Sequence, residues 1–173
     1  MVAVKLFTAI IDPTRAHSDA RDRQDRYLRA LRTLPKMQII LGNFQPREVT
    51  CAATCKEKYF IAEEKKTDVN MAVELMSDAI QNAVESVVVV SGDSDLQPAV
   101  QWVRKNRNAI KITVYIPALP KEQDVRRADF YKKLDIQCRF LPLIDLGNYQ
   151  LPGLVKLSDG KFVCRPHLWK KQG

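Results

Sequence analysis

Four consecutive valines, Val87–Val90, run straight into Ser91-Gly92-Asp93-Ser94-Asp95, and this junction constrains the fold more than any other stretch. A short β-branched run stopped by a glycine turn reads as a buried parallel strand, because strands covered on both faces lose the alternation of a half-exposed sheet. Ligands of open α/β sheets bind beyond the carboxyl ends of the strands, so Asp93 and Asp95 fall where such folds carry out chemistry. Carboxylates held that close repel one another, and a divalent cation relieves the repulsion. Hard oxygen donors of this kind suit Mg²⁺ or Mn²⁺ better than zinc.

A second acidic element precedes it at residues 63–78, EEKKTDVNMAVELMSD. Thr67 is placed to cap a helix whose first turn carries Asp68, and Ala72, Leu75, Met76, Ala79 and Ala83 follow at helical spacing as a stripe that faces the sheet. Asp68 lies at the open end of that stripe, so Asp68, Asp93 and Asp95 are expected to converge as metal ligands and catalytic acids. Each acid has a plainer role as well: Asp93 or Asp95 as a cap of the following helix, Asp68 as a complement to a helix dipole. Thr67 and Asn70 are placed to orient Asp68 or to contact substrate. Ser91 and Ser94 flank the acids, Ser94 as an N-cap and Ser91 as a donor to a neighbouring carboxylate. No histidine stands near these serines as a base, which weighs against a serine hydrolase. A phosphatase using Asp93 as nucleophile would want a partner lysine motif that the chain does not carry.

Around these motifs the pattern alternates. The reading is strand 2–11, helix 18–34, strand 37–42, hairpin or irregular strands 46–62, helix 67–84, strand 86–91, helix 95–106, strand 110–116, a short helix near 124–133 and a short strand near 137–140. Such alternation means an α/β fold with a parallel sheet. With 173 residues the chain is read as a single domain over 1–173, and 141–173 as a C-terminal extension packed on it, with a hairpin turn at Asp159-Gly160. The apolar runs are strand-length and the amino terminus lacks a cationic region followed by a hydrophobic core, so neither a membrane span nor a signal peptide is expected, and the cytoplasm is the default location.

A net charge of +8 points to a polyanionic partner, since Lys and Arg neutralising phosphates supply most non-specific affinity for nucleic acids. In the helix at 18–34, Tyr27, Leu28, Leu31 and Leu34 form the expected buried face, and Arg23, Arg26, Arg29 and Arg32 recur every three residues beside it as a basic ridge for RNA. The bland alternative is a solvated face paired with Asp22 and Asp25. Arg104, Lys105, Arg107, Lys111, Arg126, Arg127, Lys132 and Lys133 are equally placed for phosphates. Cys51 and Cys55 are spaced too weakly to read as a zinc site without Cys-x-x-Cys pairs or nearby histidines, His17 and His167 being distant, and reduced thiols are expected.

EEKKTDVNMAVELMSDA paired with VVVVSGDSDLQPAV resembles the NYN domain family, the LabA-like branch of the PIN-type nucleases. FTAIID near the start, RQDRYLRALRTLP at 23–35, RRADFY at 126–131 and RPHLW at 165–169 extend the likeness over most of the chain. The resemblance implies a three-layer PIN-like (Rossmann-like) parallel sheet flanked by helices. It further implies a metal-dependent endoribonuclease holding Mg²⁺ or Mn²⁺ on Asp68, Asp93 and Asp95, with Asn70, Ser91, Ser94, Arg23, Arg26 and Arg29 toward RNA. The alternative is a catalytically inactive RNA-binding or protein-interaction module. NYN domains normally open with a central strand ending in Asp-Gly-x-Asn, and residues 2–11 resemble the family's second strand instead. The expectation is therefore a chain that starts one strand and one helix late. Asp12 and Asp129 are candidates for the replaced aspartate, but Asp12-Pro13 reads first as a strand-ending turn and Asp129 as a helix-terminal or solvated carboxylate; another chain is a further source. Either residues 2–11 move beside 86–91 or a second molecule covers the open sheet edge, and on the latter ground a homodimer is expected.

Overall fold

The computed structural model describes residues 3–11, 19–52, 56–117, 122–141 and 147–169. Asp12, His17 and Cys55, and the side chains of Arg126 and Arg127, lie outside the described residues. The chain folds as two compact units, Met1–Asn70 with Leu151–Gly173, and Met71–Gln150.

The first unit holds β1 (Val4–Ala9), α1 (Ala20–Leu31), β2 (Met37–Thr50), β3 (Lys58–Lys65), the first turn of α2 (Thr67–Ile80), β7 (Leu154–Lys156) and β8 (Phe162–Cys164). β2 changes partner midway: Met37–Gly42 run parallel to Val4–Ala9, and Asn43–Thr50 pair antiparallel with Lys58–Lys65. The sequence suggested a strand at 37–42 separate from 46–62; the chain instead forms one continuous strand, and the sheet β1-β2-β3 is mixed. In α1 the buried residues are Leu28, Ala30 and Leu31, whereas Tyr27 and Leu34, expected to be buried, are exposed. Tyr27 meets the edge of Trp169 at 5.8 Å instead, so the tail takes part of the contact that the helix pattern assigned to a core. The tail forms the expected hairpin, β7 against β8, with Gly160 at φ +83° in its turn.

The second unit contains the rest of α2, then β4 (Ser86–Val90), α3 (Gln97–Asn106), β5 (Lys111–Ile116), α4 (Glu122–Lys133) and β6 (Gln137–Phe140). Its sheet, β4-β5-β6, is parallel throughout, with Val89 beside Val114 and Val114 beside Cys138. Leu75 and Ala79 of α2, Ala99, Val100 and Val103 of α3, and Tyr131 of α4 pack with Val89, Ile112 and Val114 into one core. The stripe read from Ala72, Leu75, Met76 and Ala79 is the stripe that packs; Ala83 lies beyond the helix end. The ends of α2 and α4 are closed by the same device. Asn82 (φ +52°) and Asp135 (φ +55°) turn left-handed, and the amides of Ala83 and Ile136 reach back to the carbonyls of Asp78 and Tyr131.

β4 is not covered on both faces as four valines imply. Val89 faces the core, while Val88 and Val90 on the opposite face are 61% and 51% exposed. Among the described strands only β5 pairs with β4.

Candidate active-site residues

At the carboxyl end of β4 the backbone stays in the sheet for one residue more, the Ser91 amide donating to the Tyr115 carbonyl at 3.0 Å. The Asp93 amide then donates to Ser91 Oγ at 3.0 Å, so this hydroxyl accepts from the backbone. Asp93, extended at φ −80° and ψ 129°, is itself the cap of the short 3-10 turn Ser94–Leu96; its Oδ1 accepts the Asp95 amide at 2.9 Å. Ser94, the expected cap, sits inside that turn and is exposed. Asp93 wins the capping position because its carboxylate arrives one residue earlier on an extended backbone. Leu96, 1% exposed, pins the far end of the turn into the core, and Pro98 falls in the first turn of α3, where a missing donor is harmless. The turn therefore presents an Asp93 carboxylate with one oxygen committed and a solvent-exposed Asp95 on a rigid floor.

At the start of α2, in the other unit, Lys66 takes a left-handed conformation (φ +73°) and its carbonyl accepts the Asn70 amide at 2.8 Å. Thr67 is the first helical residue and not the cap; its hydroxyl donates to Glu64 Oε1 at 2.5 Å. Asp68 is exposed in the first turn, where the helix dipole favours a negative charge. Asn70 Nδ2 donates to the Leu41 carbonyl at 3.3 Å, tying the helix start to β2. Gly42 makes that close approach possible, since a Cβ there would sit 2.5 Å from the Lys65 carbonyl oxygen and 2.6 Å from Thr67 Oγ1. Next to it, Asn43 Oδ1 is buried without a hydrogen-bond partner. Sequence reading passed over both residues; the signal was a glycine inside a strand, which marks close backbone approach.

The arginines of α1 carry ion pairs along the helix. Arg23 pairs with Asp19, Arg26 with Asp22 at 2.8 Å and Arg29 with Asp25 at 3.7 Å, each one helical turn apart. Each carboxylate partly neutralises the guanidinium beside it and occupies part of its donor set. Among the other basic candidates, Arg104 is engaged with the carbonyls of Leu134 and Asn108 and the Asp135 carboxylate, and Arg107 closes the end of α2 through the Ala79 carbonyl. Asp129 is exposed and bonds Lys132 at 3.4 Å. Cys51, Cys138 and Cys164 are free thiols, and burial pushes the Cys138 thiol up from its ordinary range.

Carboxylate and carboxamide oxygens are the donor set these segments offer, which fits a hard divalent cation. Among the described residues no group of three or more His, Cys, Asp or Glu is gathered around a cation position. Likewise among the described residues, no helix is long and apolar enough to cross a membrane.

The profile of the NYN domain family matches residues 11–135, a span that contains both acidic segments and the basic helix. The chain is also 26% identical over 185 aligned positions to the 6-hydroxy-3-succinoylpyridine 3-monooxygenase HspA of Pseudomonas putida (strain DSM 28022 / S16), a match covering 98% of this chain and 58% of that protein. The chain thus spans a little over half the length of the curated relative it matches. No solved structure matches it significantly.

Proposed function

The chain belongs to the NYN domain family, and we propose that it serves as a metal-dependent endoribonuclease, with Asp68, Asp93 and Asp95 as its metal-binding and catalytic acids. The observation that carries this reading is the placement of Asp93 and Asp95 at the carboxyl end of a parallel strand, inside the family match, in a chain of net charge +8. Mg²⁺ or Mn²⁺ held there supplies Lewis-acid polarisation of a phosphodiester and a bound water of lowered pKa. The chain's own contribution is positional. Asp93 Oδ1 holds the Asp95 amide and so fixes the direction of its other oxygen, Leu96 anchors the turn, and the basic surface draws in the phosphate backbone. The three-layer arrangement of the fold, cytoplasmic location and RNA as partner belong to the same proposal.

The test is incubation of purified protein with single-stranded RNA and Mn²⁺, against EDTA and against Asp93→Asn. Cleavage that needs metal and falls at least a hundredfold in the variant supports the reading, on the scale of losing one transition-state charge stabiliser. Cleavage unchanged in Asp93→Asn overturns it, and tight RNA binding without cleavage favours the inactive binding module. The Pseudomonas relative favours a second reading, action on a hydroxylated pyridine, because its match runs over nearly the whole chain. Turnover of 6-hydroxy-3-succinoylpyridine by this chain would select that reading. We further propose a homodimer, supported by the outer position of β4 and its exposed Val88 and Val90; a monomeric mass by light scattering at micromolar concentration would exclude it.

A further inference from the structure

Val90, Tyr115 and Arg139 are register partners across β4, β5 and β6, in the row just before Ser91 leads into the acidic turn. Residues paired in this way project to one face of the sheet. Val89, Val114 and Cys138 in the adjoining row take the other face, against the core, so the first row looks away from it. Val90 is 51% exposed, Tyr115 is half-buried and Arg139 is exposed. Arg139 makes no side-chain hydrogen bond or ion pair among the described residues, whereas Arg104 and Arg107 of the same unit are held by backbone carbonyls. The Tyr115 hydroxyl is likewise without a partner among the described residues. The row is also tied to the acids, because the Tyr115 carbonyl accepts the Ser91 amide at 3.0 Å and Ser91 Oγ accepts the amide of Asp93. Contact with water does not call for an aromatic ring, and an apolar partner laid over the whole row would bury Arg139 unpaired, at a cost. A ligand that joins a planar ring to an anion satisfies both residues.

We infer that Tyr115 and Arg139 form a substrate-positioning subsite beside the acidic turn, with Tyr115 stacking a base and Arg139 taking the adjoining phosphate. The inference rests on the ribonuclease reading for the nature of the ligand, and on the strand register for the residues. Arginine's planar fork matches phosphate oxygens and keeps its charge at any working pH. Stacking on the tyrosine tolerates any sequence, since every base has a π-face. β6 lies two strand spacings, about 10 Å, from β4, so a polymer whose scissile phosphate meets Asp93 and Asp95 reaches Arg139 with a neighbouring nucleotide. The subsite reads ring and charge and not the sugar. It therefore fixes where the polymer lies without choosing between RNA and DNA.

The experiment measures equilibrium binding, by fluorescence anisotropy at fixed low Ca²⁺ over a series of KCl concentrations, of a labelled single-stranded RNA oligomer and of an abasic oligomer of the same length. Tyr115→Leu should weaken the RNA by about fivefold to a hundredfold, the worth of one stacked base, and leave the abasic strand within about twofold. Tyr115→Phe, which keeps the ring, should restore most of that loss. Arg139→Ala should weaken both strands and reduce the slope of log affinity against log salt by about 0.7, the share of one phosphate on a single strand. Arg139→Lys should restore the slope. Arg139 is exposed with no internal bond to lose, so Arg139→Ala should melt with wild type and carries the test even where leucine at position 115 unsettles the sheet. Equal weakening of both strands by Tyr115→Leu in a folded protein, an unchanged salt slope in Arg139→Ala, or wild type that binds neither strand overturns the inference. Failure of the ribonuclease reading is seen separately, as these binding signatures intact with no metal-dependent cleavage, or with cleavage unaffected by Asp93→Asn.

Discussion

Gly42→Ala tests the local architecture from which the start of α2 is built. A Cβ at this position lands 2.5 Å from the Lys65 carbonyl oxygen, 2.6 Å from Thr67 Oγ1 and 3.2 Å from the Thr67 amide nitrogen. The threonine hydroxyl can rotate, at the loss of its bond to Glu64. The carbonyl has no such freedom, because Lys65 is the last residue paired with β2 and the next residue is already left-handed. Relief therefore requires the chain at 65–67 to retreat by about half an ångström or more, and overpacking of this kind costs about 1–3 kcal/mol. Alanine recovers about 0.4–1 kcal/mol by stiffening the unfolded chain, leaving a net loss near 1–2 kcal/mol. For a chain of this size each kcal/mol moves the midpoint by about 2–4 °C, so a drop of roughly 2–8 °C is expected in thermal melts followed by circular dichroism. Gly153→Ala is the matched control: nothing lies within 4 Å of its added Cβ. Coincident melting of the two variants would show that the close approach at Gly42 does not hold the helix start in place.

Leu96→Ala, emptying a site 1% exposed beneath the acidic turn, should lower stability by about 2–5 kcal/mol in urea unfolding and reduce any Asp93-dependent activity in parallel. Asp22→Asn removes the negative charge that Arg26 meets at 2.8 Å; stability should change by less than about 0.5 kcal/mol, while affinity for single-stranded RNA at low salt should rise, and an unchanged affinity would argue against a role for α1 in RNA binding. Cys138 should react with iodoacetamide more slowly than Cys164 at pH 8, since burial raises its pKa and keeps the thiol protonated. The same shift fixes a sign: the folded state holds this proton above the unfolded value near 9.0, so its contribution to stability is complete below that pH and is lost as pH climbs through the folded value, an effect that Cys138→Ser should abolish in alkaline melts.

Periodicity revealed what each element buries against its immediate neighbours. Leu75, Met76 and Ala79 on α2, and Leu28 and Leu31 on α1, pack as their spacing indicates, because a stripe repeating every three to four residues has only one face to offer. The acids were legible for the same reason, since a strand that ends in Gly-Asp-Ser-Asp leaves its carboxylates at the sheet's carboxyl edge. What sequence reading missed were relations set by backbone geometry. Ser94 and Thr67 were natural caps by residue type, yet Asp93 capped because the chain was still extended at that residue, and Thr67 fell one position inside its helix. Tyr27 and Leu34 were counted as core because an apolar residue on the right side of a helix looks buried whether or not an element lies over it.

The valines of β4 carry this reasoning furthest. A strand with one solvated face is ordinarily written with alternating polar residues, and a continuous Val run is typical of strands covered on both faces. Val88 and Val90 nevertheless stand 61% and 51% exposed. Fully burying a valine is worth about 1.5–3 kcal/mol, so this face leaves unused an amount comparable to a sizeable part of the few kcal/mol by which domains are stable. That mismatch is the physical basis of the proposed association, and Val88→Thr with Val90→Thr should separate it from folding: dimer mass lost, melting temperature of the monomer nearly unchanged.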